Sequence, residues 1–196
     1  MPKGRLEAFA DGVFAFAATL LVVNLAVDPN TPLGTQLLHI WASYVAYAVS
    51  FITIGIIWAN HHTFMHQIAR VDRFFLLATV LFLMFIAFIP FPTRLLAANI
   101  QSPNAEAAAL LYGITLTGLA VMFNVLWRYA SGNSRLLKEE ADLRVVEGIS
   151  RSYLLGPTSY GIATLVALIS PQVSAGMFVA IAVFYVAESS IYGRRP

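Results

Sequence analysis

The run Ala8-Phe9-Ala10-Asp11-Gly12-Val13-Phe14-Ala15-Phe16-Ala17-Ala18-Thr19-Leu20-Leu21-Val22-Val23-Asn24-Leu25 holds a single ionisable side chain, Asp11, in an otherwise apolar stretch. A segment of this kind, about 20 residues long, is what a helix needs to cross the hydrocarbon core of a bilayer. It exceeds the roughly 7–15 residues of a signal-peptide core and no small-residue cleavage site follows it, so it reads as a retained first helix. The rest of the chain has the same character. Hydrophobic residues make up 59% of the 196, charged residues only 11%, and the mean hydropathy is +0.74. A soluble domain carries roughly 25% charged residues, because its surface must be solvated. The composition excludes that class, and the expected fold is an all-α integral membrane protein.

Outward from this run, the breaker cluster Asp28-Pro29-Asn30 ends a first helix over 6–27. Further apolar windows predict helices over 37–65, 74–89, 105–127, 153–169 and 174–192, about six spans in one domain covering 1–196. The start of the second, His39-Ile40-Trp41 with Tyr44, has the composition of an interfacial aromatic anchor. Pro90-Phe91-Pro92 reads as the stop of the third, followed by a loop with Arg94 and Pro103. The hydrophilic stretch from Tyr129 to Ser152 is too short for a core of its own. Leu136, Leu137, Leu143, Val145, Val146 and Ile149 interleave with its charges, which predicts an amphipathic helix along the membrane surface. Cysteine is absent, which excludes disulfides, thiolate metal sites and a cysteine nucleophile.

The basic residues orient this layout. With both termini on one side, that side collects Lys3, Arg5, Arg70, Arg73, Arg128, Arg135, Lys138, Arg144, Arg151, Arg194 and Arg195, and the other side only Arg94. Such an asymmetry follows the positive-inside rule and places both termini in the cytoplasm. The pI of about 9.0 then reflects topology, not nucleic-acid binding.

Chemistry concentrates at two places. The first helix opens Arg5-Leu6-Glu7-Ala8-Phe9-Ala10-Asp11-Gly12, with three ionisable groups and a glycine at its entrance. Acids favour helix N-termini through the macrodipole, which accounts for Glu7. Asp11 lies a turn deeper, where a carboxylate is costly and calls for a partner or water; on spacing alone, decoration and a buried polar network are both open. Gly12, Phe16, Thr19, Leu20 and Val23 share one helix face. By itself such a stripe is ordinary packing, as is the small-residue pair Ala15 and Thr19. The second place is Trp58-Ala59-Asn60-His61-His62-Thr63-Phe64-Met65-His66, which sets His62 and His66 one turn apart, as in several metal sites. No carboxylate ligand lies nearby on that helix, and the competing reading is a wet helix end with histidines in hydrogen-bond networks. Phosphate-binding glycine loops, serine-nucleophile elbows and a Thr-Val-Gly-Tyr-Gly filter are missing.

Together these residues resemble the non-canonical potassium channel family that includes the lysosomal transmembrane protein 175 and its prokaryotic relatives. Arg5 with Phe9-Ala10-Asp11-Gly12 is similar to the family's Arg-x-x-x-Phe-Ser-Asp-Gly signature. The likeness continues through Thr19-Leu20-Leu21-Val22, Trp58-Ala59-Asn60-His61 and Phe88-Ile89-Pro90-Phe91-Pro92, and so extends over essentially the whole chain. It implies a homotetramer with one six-helix unit per chain, the first helix of each lining a central pore without a re-entrant filter. By position it implies Phe16, Leu20 and Val23 at the constriction, Thr19 as the selectivity layer, and Arg5, Asp11, Trp58 and His61 as an interhelical polar network. A ring of bulky apolar side chains stops ions by emptying the pore of water, and a ring of hydroxyls offers oxygens to a cation. The chain departs from the family pattern at Ala10 (for serine), Phe16 (for isoleucine or leucine), Val23 (for leucine) and Asn24 (for glutamate). These departures bear on conductance and selectivity, not on the fold.

The expected function is passive, potassium-permeable cation conduction across the plasma membrane, with no enzymatic step and no cofactor beyond the permeant potassium ion. The lipid bilayer and copies of the chain are the expected partners. Two rivals stay open: a proton-coupled secondary transporter using Asp11 and His61, and a membrane metalloenzyme built on the histidine cluster.

Overall fold

The computed structural model describes residues 2–23, 25, 32–139 and 143–192. They form α1 (Lys3–Val23), α2 (Leu33–His39), α3 (Trp41–Gln67), α4 (Arg73–Phe88), α5 (Pro90–Asn99), α6 (Ala105–Ser131), a 3-10 turn (Gly132–Ser134), α7 (Leu143–Val166) and α8 (Pro171–Tyr192). Among the described residues four helical stretches are long and apolar enough to cross a membrane: Lys3–Val23, Trp41–Gln67, Arg73–Asn99 and Ala105–Ser134. α8 carries a shorter apolar stretch, Pro171–Ala187. The expected turn at Asp28-Pro29-Asn30, the Asn24 departure and the basic pair Arg194 and Arg195 lie outside the described residues.

The Pro90-Phe91-Pro92 pair does not open a loop. Ile89 keeps right-handed helical angles (φ −49°, ψ −42°), and α5 begins at once with Pro90 as its first residue. Proline is tolerated there because its missing N–H would have had no partner in a first turn. Thr93 closes the junction, its hydroxyl donating to the Ile89 carbonyl at 2.8 Å and its backbone N–H to the same oxygen at 3.1 Å. Arg94 therefore stands on a helix.

The expected surface helix is also replaced by something else. After α6 the chain turns sharply at Asn133 and Ser134, both at positive φ (51° and 52°). It then runs extended against the link between α3 and α4. Ala69 N–H donates to the Leu136 carbonyl at 2.8 Å and Lys138 N–H to the Gln67 carbonyl at 3.0 Å. This pairing turns Leu136 and Leu137 inward, where both are buried, along with Ile68. Val146 and Ser150 belong to the first turns of α7 and not to a separate element.

Two features show how the bundle satisfies its backbone. Asp72 caps α4, its carboxylate accepting from Phe75 N–H at 2.8 Å. Pro157 lies inside α7 and offers no N–H to the carbonyl four residues earlier, that of Tyr153. Asn124 of α6 replaces the missing donor, with Nδ2 at 2.6 Å from the Tyr153 oxygen. A proline inside a helix is tolerated where a neighbouring side chain re-satisfies the freed carbonyl in this way.

The helices close around an aromatic core. Phe64 of α3 meets Phe75, Phe123 and Trp127 edge to face, with ring centroids 5.5–5.8 Å apart. Tyr153 of α7 adds edge contacts to Phe123 and Trp127. Each such pair contributes about 0.5–1.5 kcal/mol beyond its buried area. Gly113 lets α6 and α7 approach closely, since a Cβ there would strike the side chain of Thr164. α1 packs against α3, α4 and α5 at the edge of this bundle.

Candidate functional site

α1 has two faces made of different residues. Leu6, Ala10, Phe14, Ala17 and Leu21, spaced four, four, three and four apart, are buried against the chain's own helices. The far side carries Arg5, Phe9, Gly12, Phe16, Thr19 and Val23, all exposed in the single chain. Phe16 is 64% exposed and Val23 72%, values that in a helix edge-packed on its own subunit leave one side wholly uncovered. Leu20 stands between the faces, partly buried. The Thr19 hydroxyl donates to the Phe16 carbonyl at 2.9 Å. Its hydrogen is thus engaged by the helix itself, and the oxygen's lone pairs are left facing outward.

The polar residues at the α1 entrance separate into distinct settings. Trp58 of α3 donates its indole N–H to Asp11 Oδ1 at 2.9 Å, a direct tie between the two helices. His61, one turn further along α3, is buried among rings: stacked on Phe82 (5.7 Å, 8°), tilted against Phe14 (5.6 Å) and edge-on to Phe64 (6.1 Å). Its Nε2 has no hydrogen-bond partner among the described residues. Ala10 is fully buried on the same α1 face as Phe14. Arg5 is exposed and joins neither of these groups. The nearby ion pair is Lys3 with Glu7 at 3.6 Å, one turn apart on the helix surface.

The other two histidines of the cluster, His62 and His66, are exposed, with rings 6.3 Å apart. Among the described residues no three His, Asp or Glu side chains converge as metal ligands.

Several contributors escape a reading of motifs. Phe14 is the α1 ring that meets both His61 and Phe82 (6.2 Å); its place four residues after Ala10 and three before Ala17 is the signal for it. Ser50, Thr93 and Tyr112 form a buried hydroxyl cluster, with Ser50 Oγ at 2.9 Å from Thr93 and 3.0 Å from Tyr112. Thr, Ser and Tyr scattered over three helices give no sequence signal. At one end of the bundle Tyr129 donates to Asp72 Oδ2 at 2.6 Å, and Arg135 lies 3.8 Å from the same oxygen and 4.6 Å over the Tyr129 ring. The Tyr129 hydroxyl, helped by the Phe75 N–H and the Arg135 charge, holds the Asp72 carboxyl below the usual carboxylate range.

The sequence pattern of the family described as endosomal/lysosomal potassium channel TMEM175 matches residues 5–90. A potassium channel of Chamaesiphon minutus is 38% identical over 95% of this chain and 95% of its own length. A potassium channel of Streptomyces collinus is 34% identical, covering 93% of this chain and 91% of its own. Among solved structures, that of a lysosomal potassium-selective channel TMEM175 homolog from Chamaesiphon minutus superposes with a TM-score of 0.87 at 36% identity, covering 95% of this chain and 97% of the other.

Proposed function

Because the chain belongs to the TMEM175 potassium channel family, we propose that it is a potassium-permeable cation channel, assembled as a homotetramer around its α1 helices. Its relatives are named as ion channels, not enzymes. The observation that carries the reading is the division of α1 into a face buried in its own subunit and an opposite face left open. A helix held by one side to its bundle is free to present the other to a shared axis.

In that arrangement the Phe16 rings, with Leu20 and Val23 beyond them, form an apolar constriction that gates by dewetting. Thr19 follows within a turn. Because its hydrogen is already committed to the Phe16 carbonyl, each hydroxyl oxygen meets an ion as an acceptor. Four such oxygens replace only part of a potassium ion's hydration shell, so discrimination against sodium is modest. Asp11 and Trp58 hold α1 against α3 at its entrance, with His61 buried beside them and Arg5 reaching outward toward a neighbouring subunit. Mechanically, α1 is then the stave of the pore and α3 and α4 its backing.

The chain acts as one domain of six spans. α7 with 24 residues and α8 with 22 have the length to add two crossings to the four strongly apolar ones. The excess of basic residues on one side supports a reading with both termini in the cytoplasm of a cell whose plasma membrane holds the channel.

The test is potassium efflux from liposomes containing the purified chain. The expected result is efflux carried by single-channel currents far above transporter turnover, with sodium supporting less current. Tetrameric protein that passes no monovalent cation at any voltage or pH overturns the channel reading, and flux that requires a proton gradient replaces it with a coupled transporter.

A further inference from the structure

A cleft of about 320 Å³ opens on the outside of the bundle between the first half of α3, the end of α5 and the start of α8. Its walls are apolar: Ala46 and Val49 on α3, Leu96 on α5, Phe178 and Val179 on α8. Its polar side chains gather at one end. Gln101 follows α5 and Gln172 opens α8, where Gln172 Nε2 donates to the Ile100 carbonyl at 3.1 Å and closes the mouth. Trp41, the first residue of α3, stands at the same end. Tyr112 also lines the cleft, but its hydroxyl is engaged with Ser50 at 3.0 Å. Nothing inside offers the two to four polar partners that a stable water needs.

We propose that this cleft holds one acyl chain of a bilayer phospholipid, with the lipid's polar region at Gln101, Gln172 and Trp41. Two observations favour that occupant. Two of its walls, α3 and the α4–α5 stretch Arg73–Asn99, are long and apolar enough to cross a membrane, which sets the cleft beside lipid tails. Its polarity runs in one direction, wet at the helix ends and apolar within, as in the lipid itself. The floor is bare as well, because a Cβ added at Gly176 would touch nothing within 4 Å. Small residues on facing membrane helices usually bring the helices together. Here Ala46 and Gly176 leave a gap between α3 and α8 that the tail fills.

The experiment uses the full chain in nanodiscs of a phosphatidylcholine bearing a photoreactive diazirine near the end of one acyl chain, with labelled positions mapped by mass spectrometry. The expected label concentrates on residues 41–49 and 172–179, several-fold above the exposed outer residues Leu165, Leu168 and Ile169. Gly176→Leu and Ala46→Leu fill the cleft from opposite walls. Each should cut the cleft label several-fold, leave labelling at Leu165 and Ile169 unchanged, and unfold at a temperature that no longer falls when lipid is stripped away. Cleft labelling no higher than at the outer residues overturns the proposal, as does undiminished labelling in a folded filled variant. The chain has no cysteine, so a disulfide formed between Val45→Cys of one chain and Val179→Cys of another is unambiguous, and it would assign the cleft to a second copy instead. Where a filled variant does not fold, the wild-type labelling ratio decides.

Discussion

Replacing Asn124 by leucine isolates one hydrogen bond and makes its worth measurable. In the native chain the Tyr153 carbonyl has no helical donor because residue 157 is proline, and Asn124 Nδ2 stands in at 2.6 Å. Leucine leaves that carbonyl without a partner between two packed helices. Stranding a buried acceptor costs about 1–3 kcal/mol, while hydrogen bonds between membrane helices average nearer ~0.6 and reach ~1.7. Proline removes the carbonyl's i+4 donor, so the upper part of the second range applies, about 1.5 kcal/mol. The second bond of Asn124, to the Ala120 carbonyl at 3.0 Å, contributes little because that carbonyl is already inside its own helix ladder. The control is Pro157→Ala, which restores an N–H for Tyr153. In that background Asn124→Leu should cost less, the difference being a coupling within the ~0.5–3 kcal/mol seen between residues in contact. Equilibrium unfolding of the four proteins in mixed detergent and SDS micelles gives the cycle directly. Equal penalties with and without Pro157 would refute the substitution of donor for donor and place the role of Asn124 elsewhere.

Thr19→Val should leave assembly intact and lower potassium-over-sodium preference several-fold in reversal-potential measurements, because a methyl group replaces the oxygen an ion meets. Phe16→Ala and Phe16→Asn should both raise potassium flux several-fold, the first by widening the constriction and the second by wetting it; falling flux with falling stability in both would mean that Phe16 packs against protein. The lowered Asp72 carboxyl contributes stability that is present above the ordinary carboxylate value of 3.8 and is lost as pH falls through the folded-state value below it. Asp72→Asn should therefore unfold at a temperature that changes less with pH in that acid window than the wild type does, and identical pH profiles would remove Asp72 from the account.

The four strongly apolar stretches of the fold are legible because hydrophobicity and length are local quantities, visible in windows such as 74–89 or 105–127. The proline pair misled for a related reason. Proline reads as a stop, but whether it stops a helix or starts the next depends on the angles of the residue before it, and Ile89 stays helical. The interleaved leucines of the Tyr129–Ser152 stretch have the pattern of a surface helix, yet Leu136 and Leu137 are buried by backbone pairing with residues some seventy positions earlier, a long-range event no window contains. At the candidate site, the tie of Asp11 to Trp58 joins two motifs that were readable separately. The isolation of His61 Nε2 among rings was not readable, because it depends on Phe14, Phe64 and Phe82 arriving from three helices.

The two faces of α1 bear on how such a protein changes over time. The residues that anchor the helix, Leu6, Ala10, Phe14, Ala17 and Leu21, share no member with those it leaves open at Phe16, Thr19 and Val23. A substitution on the open face does not disturb the subunit's own core, and one on the anchoring face does not alter what the open face presents. The subunit's core and the open face are therefore separately mutable along a single helix, and variation such as phenylalanine at 16 can be tried without loss of the subunit's own packing. Leu20, partly buried between the two, is the position where the requirements meet, and there the range of tolerated side chains should be narrowest.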